Sequence, residues 1–150
     1  MNFFLIRTLI PMRNVTMFHN SVKPKTDIFY TQSHETIQIE NDEVKVGISD
    51  YARKELGDIV FIEADVEIEE EIECGDTIVT VESVKATSEI FTPSSGKVIE
   101  HNEDLIENIN ELENVNEKDF WFVKYKTDTS ETLKTEHMNK DDYLDFLKND

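Results

Sequence analysis

Val81-Glu82-Ser83-Val84-Lys85-Ala86-Thr87-Ser88 is a strand that bends and returns with a lysine at the bend. Ile78, Val79, Thr80 and Val81 lead into it and are all β-branched; Glu89-Ile90-Phe91-Thr92 resumes strand character beyond it. Lys85 therefore belongs at or near the tip of a hairpin. Its neighbours are short, and no Asn-Gly or Asp-Gly pair explains the turn. Chemistry alone leaves two readings. Lys85 is a solvated surface charge, as most hairpin lysines are, or an amine held out on a rigid turn for an enzyme that must find one lysine among many.

Short strands at regular spacing surround this hairpin. Thr36-Ile37-Gln38-Ile39-Glu40 alternates, Asn41-Asp42 turns, and Val44-Lys45-Val46-Gly47-Ile48 alternates again. Asp50 is placed to cap a two-turn helix through Tyr51, Ala52 and Leu56, with Gly57 ending it. Ile59-Val60-Phe61-Ile62 is an apolar run suited to a core strand, and Gly75-Asp76 makes the next turn. Gly96 to Glu100 and Phe120 to Tyr125 supply the last strands. Asn102 to Asn116 reads as a solvated loop with a short helix at most. Asn139 can cap a closing helix with Asp141 and Asp142 in its first turn and Tyr143, Leu144, Phe146 and Leu147 on its apolar side. The expected fold is mostly β: a compact sandwich or flattened barrel of short antiparallel strands with small helices, one of them C-terminal.

Charge divides the chain at one point. Residues 1–26 hold no acid and four bases, Arg7, Arg13, Lys23 and Lys25. Residues 27–150 hold all 33 acids and the remaining 11 of the 15 bases, a net charge near −22. A body that acidic repels nucleic acid and is steered toward basic protein surfaces. The run Glu67, Glu69, Glu70, Glu71, Glu73 is a solvated face or part of such a docking surface. In the arm, Phe3, Ile6 and Ile10 fall at helical spacing among arginines, which suits a mitochondrial presequence; a disordered basic tail is the plainer reading. Arg7 and Pro11 interrupt the apolar stretch a secretory signal would need, and the arm is too short and charged to span a bilayer. The expected organisation is a targeting arm over 1–26 and one domain over 27–150. Cys74 is the single cysteine, so no intramolecular disulfide or paired-thiol chemistry is available. The four histidines share no ligand spacing, and no metal site is expected. Trp121, between Phe120 and Phe122, reads as packing rather than a ligand box.

Four segments in register carry a resemblance. Ser33-His34-Glu35, Gly47-Ile48-Ser49-Asp50-Tyr51-Ala52, Leu56-Gly57-Asp58-Ile59-Val60-Phe61-Ile62-Glu63, and Glu82-Ser83-Val84-Lys85-Ala86 followed by Pro93-Ser94-Ser95-Gly96-Lys97-Val98 together resemble the glycine cleavage system H-protein family, from about Tyr30 to the C-terminus. The resemblance implies the fold of lipoyl and biotinyl carriers, with lipoate joined covalently to Lys85. It implies a non-catalytic shuttle of an aminomethyl group among three enzymes, which the targeting arm would place in the mitochondrial matrix. These are a pyridoxal-phosphate glycine decarboxylase, a tetrahydrofolate-dependent aminomethyltransferase and a dihydrolipoamide dehydrogenase. A lipoate ligase or lipoyl transferase would install the group; nucleic acid and membrane are not partners. It further implies that Ser33, Glu35 and Glu89 line a cleft for the loaded arm, though a strand-edge surface acid is an equal reading of Glu35.

The match is not complete. Glu89 stands where the family usually has aspartate, Thr36 where an aromatic follows the Ser-His-Glu motif, Glu55 where a histidine can precede the leucine, and Phe120 where glycine is common. Other readings are a lipoate relay or stand-alone lipoyl domain serving 2-oxoacid dehydrogenase complexes, and a binding module that keeps the fold without the modification. Dehydrogenase domains favour Asp-Lys-Ala at the lysine and biotin carriers Met-Lys-Met; this chain has Val84-Lys85-Ala86. A hydrolase built on Cys74 and a histidine lacks any supporting motif.

Overall fold

The computed structural model describes residues 26–149. The targeting arm expected over 1–26 thus falls, save for Thr26, outside the described residues.

The alternating stretches form two antiparallel sheets. β1 (Ile28–Tyr30), β2 (Glu35–Glu40) and β3 (Glu43–Ile48) form a meander, and α1 (Asp50–Leu56) follows. Then come β4 (Ile59–Ala64), β5 (Glu71–Ile72), β6 (Thr77–Ser83), β7 (Thr87–Phe91) and β8 (Gly96–His101). The short α2 (Glu103–Glu107) and two 3-10 turns lead to β9 (Trp121–Lys126), and α3 (Ser130–Glu136) and α4 (Lys140–Asn149) close the chain. One sheet has six strands in the order β1-β2-β3-β9-β8-β5; the other has three, β4-β6-β7. The sheets are open, so of the two expected architectures the sandwich is the one formed.

The core lies between them because strand alternation sends one face of each inward. Val44, Val46, Ile37, Val98, Val123 and Tyr125 from the large sheet meet Ile62, Ile78, Val79, Val81 and Ile90 from the small one, all buried. Gly47 is there for space: a Cβ on it would stand 1.9 Å from the carbonyl oxygen of Phe120, whose ring is fully buried. The Phe120 ring itself packs edge-on to Phe122, with centroids 5.5 Å apart.

Four sequence expectations need correcting. β4 is not a wholly buried core strand: Ile62 is buried, but Val60 and Phe61 are exposed, because the bulge between Ile59 and Phe61 turns them outward. The cap of α1 is Ser49, not Asp50: Ser49 is extended, and its hydroxyl accepts from Ala52 N at 3.1 Å. The Asn/Glu-rich segment is more than a solvated loop, because Leu105 and Leu112 are buried in the core with Ile106 and Ile109 packed beside them. On α4, capped by Asn139 as expected (Asp142 N to Oδ1, 3.0 Å), Tyr143 is buried but Leu144 is exposed.

Candidate functional site

Lys85 projects from the β6–β7 hairpin, where the chain reverses through Val84, Lys85 and Ala86 without glycine. Ser83 supplies what a turn glycine would otherwise supply. Its hydroxyl accepts from Lys85 N and Ala86 N, each at 3.1 Å, and donates to Ala86 O at 3.1 Å. Ser83 N donates to Ala86 O at 2.8 Å, and Val84 N donates to Asp58 O at 2.9 Å, which pins the bend to the loop before β4. The tip is therefore exposed and held from both sides. Lys85 makes no ion pair among the described residues.

Gly57 lies beneath the lysine. Its φ of 73° is the left-handed value that ends α1, with its N–H donating to Arg53 O. A Cβ there would stand 3.3 Å from Lys85 Cε and 3.6 Å from Nζ, so the missing side chain leaves a track for the lysine stem. This suits a lysine that carries a long acyl group: the amine is accessible, its origin is fixed, and the surface beside it is open.

The other motif residues gather at the far end of α1. Ser49 N donates to His34 O at 3.0 Å, so the Ser33–His34 turn sits against the helix start. Seven residues of helix, about 10 Å at 1.5 Å per residue, separate that end from Gly57. His34 has a φ of 73° and closes the turn, its N–H donating to Thr31 O at 3.2 Å. Its Nδ1 lies 2.8 Å from the Tyr143 hydroxyl, which is also 2.8 Å from Ser49 Oγ. Ser33 is exposed. Glu35 is buried on β2, opposite Ile48 of β3, with its carboxylate hydrogen-bonded by the Thr31 hydroxyl; the strand-edge surface reading of it is wrong. Glu89 is exposed on β7, opposite Thr80, on the outer face of the small sheet. No hydrogen bond or ion pair joins Ser33, Glu35 and Glu89 to one another.

An ionic knot also fixes the α1 end. Glu117 accepts from Lys140 Nζ (2.9 Å), the Tyr30 hydroxyl (2.8 Å) and Asp50 N (3.1 Å). Burial alone raises its pKa, but these three donors together hold the carboxyl below its ordinary range. Tyr30, stacked on Tyr143 at 4.3 Å, has its hydroxyl pushed upward by burial first and by Glu117 second.

A family model described as glycine cleavage H-protein matches residues 28–150. The chain belongs to this family. Among curated H-proteins, it is 43% identical over 129 residues to the probable glycine cleavage system H protein of Pyrococcus abyssi, covering 84% of this chain and 93% of that one. It is 39% identical over 122 residues to the H protein of Halalkalibacterium halodurans, covering 81% and 93%. The crystal structure of the H protein of Mycobacterium marinum aligns with a TM-score of 0.71 at 26% identity, over 82% of this chain and 98% of that one. The H-protein resemblance read from Ser33-His34-Glu35 through the Lys85 hairpin is thereby confirmed, as is its mostly β fold.

Two contributors to the site escaped the sequence reading. Ser83 entered only as a motif letter; its role was legible as a serine two positions before the bend residue in a glycine-free turn. Gly57 was read as a helix stop and not as the floor under Lys85, which only tertiary placement reveals.

Proposed function

We propose that Lys85 is the lipoyl acceptor of this H-protein. The chain is a lipoyl carrier of the glycine cleavage system, and the observation that carries the assignment to Lys85 is the exposed, glycine-free turn locked by one serine hydroxyl. A lipoyl group amide-linked to that amine supplies a dithiolane sulfur for carrying a one-carbon amine unit and for disulfide–dithiol cycling. The protein's own residues position rather than react. Ser83 and the Val84–Asp58 bond fix the tether's origin, and a fixed origin raises the effective concentration of the arm's end at a docked enzyme. Gly57 lets the stem lie toward α1. Ser33 and Glu35 at the far end of α1, with Glu89 on β7, are the positions available to hold a cationic cargo; Thr31 orients Glu35 by donating to its carboxylate. On this reading catalysis belongs to the decarboxylase, the aminomethyltransferase and the dihydrolipoamide dehydrogenase. The acid-free arm with Arg7, Arg13 and helically spaced Phe3, Ile6 and Ile10 favours delivery to the mitochondrial matrix, testable by import and processing in isolated mitochondria.

The test is exchange between the glycine carboxyl and bicarbonate, catalysed by the decarboxylase with lipoylated chain as cofactor. Lipoylated wild type supports exchange and Lys85→Arg does not. Lipoylated protein that is inactive there, yet donates lipoate to other acceptors, would instead mark a lipoate relay.

A further inference from the structure

The small sheet carries exposed apolar side chains beside the lysine that its core does not use. Val84 at the tip is 65% exposed, Val60 49% and Phe61 46%. The β4–β6 register shifts between Ile59 and Phe61, so a bulge sets Val60 and Phe61 opposite the hairpin base, where Ile59 pairs with Ser83 and Phe61 with Glu82. Bulges of this kind re-aim side chains near functional sites. The exposed charges on the small-sheet strands and the loop before β4 that lie around them are anionic, Asp58, Glu63, Glu82 and Glu89, with Lys54 at the end of α1 beyond Asp58. Lys85 is the single Lys or Arg between Lys54 and Lys97.

We infer that Val60, Phe61 and Val84, ringed by these carboxylates, are the docking surface for the enzyme that acylates Lys85. This rests on Lys85 being the lipoyl acceptor. Reach decides among occupants. An unmodified lysine extends five bonds from its Cα, about 6 Å at bond lengths near 1.5 Å. The acylating enzyme must therefore close over the hairpin itself, whereas enzymes that use the finished arm can stand further off. In the acylation, the amine forms a bond to the carbonyl carbon of an activated lipoyl acyl donor, the bond to the leaving group breaks, and the amine's proton is released. The enzyme that fits presents an apolar recess with a basic rim, matching the apolar centre and anionic ring. A second copy of this chain, with net charge −18, is repelled. Acylation removes the cation at the hairpin tip, so charge distinguishes substrate from product.

The experiment is steady-state acylation of unmodified chain by a lipoate–protein ligase across ionic strengths. Variants are Phe61→Ser, Val84→Ser and Glu82→Lys, with Ile68→Ser, an exposed apolar residue on a separate loop, as control. The expected result is a KM for the chain raised fivefold or more in Phe61→Ser and Val84→Ser, with kcat within twofold. Glu82→Lys raises KM and flattens its salt dependence, while Ile68→Ser matches wild type. Val84→Ser alters only the exposed tip, so its KM stands even if Phe61→Ser loses stability. A KM within twofold of wild type in both apolar variants overturns the docking surface and leaves Lys85 as acceptor. Wild type that is not acylated at all overturns both.

Discussion

The side chain of Lys85 crosses Gly57 so closely that a methyl group on Gly57 would stand 3.3 Å from Lys85 Cε. The helix stop and the acceptor lysine are thus one structural unit. Gly57→Ala meets two penalties: a left-handed φ of 73° that alanine rarely adopts, and the lysine stem. The stem is flexible and can move; the backbone cannot. We expect a stability loss of about 1–3 kcal/mol from the strained backbone, read by thermal or urea unfolding, with acylation slowed but not abolished. Unchanged stability would mean that the glycine conformation carries no weight.

Ser83→Ala removes one hydroxyl that makes three hydrogen bonds. The stability loss should be modest, about 1 kcal/mol, because the partners at this exposed tip turn to water. The dynamic effect should be larger. Amide hydrogen exchange at Lys85 and Ala86 should accelerate, and the rate of lipoylation should fall in step. Faster exchange without slower lipoylation would show that rigidity of the turn is irrelevant to acceptor recognition.

Glu117 sets a pH dependence whose sign is fixed by its depressed pKa. Its stabilising contribution is fully present above the ordinary glutamate value, about 4.3, and is lost as pH falls through the lower folded value. Glu117→Gln should therefore be less stable than wild type at neutral pH, with the gap narrowing below about pH 4. Urea unfolding across pH 2.5 to 7, roughly the span of carboxylate titration, checks this. A gap that widens in acid would contradict the assigned direction.

Gly47→Ala places a methyl group 1.9 Å from the Phe120 carbonyl oxygen, a contact with backbone in the middle of the large sheet. Overpacking of this severity should cost about 3 kcal/mol or more. The expected signature is poor soluble yield or a denaturation midpoint well below wild type; a wild-type midpoint would refute the close approach.

Strand alternation made the sheets legible, since Ile37, Ile39, Val44 and Val46 point inward at a period of two and do so whatever lies beyond them. The hairpin was legible for the same reason. What escaped depended on contacts distant in sequence. Tyr143 could be placed on the apolar side of a helix, but not at hydrogen-bond distance from Ser49 and His34, which precede it by 94 and 109 residues. Glu35 could not be recognised as buried without knowing that the turn after β1 folds Thr31 back onto its carboxylate. Leu105 and Leu112 were hidden because surrounding acids dilute their helical spacing. Ser49 and Asp50 are both competent caps, and only the extended backbone of Ser49 decides between them.

The most direct test is intact mass followed by peptide mapping of the chain after incubation with a lipoate–protein ligase that modifies a known acceptor. One lipoyl group per molecule, mapped to Lys85 and absent from Lys85→Arg, is the outcome expected from a serine-locked turn presenting a single amine. A wild-type chain that stays unmodified, or carries the group on another lysine, would contradict it.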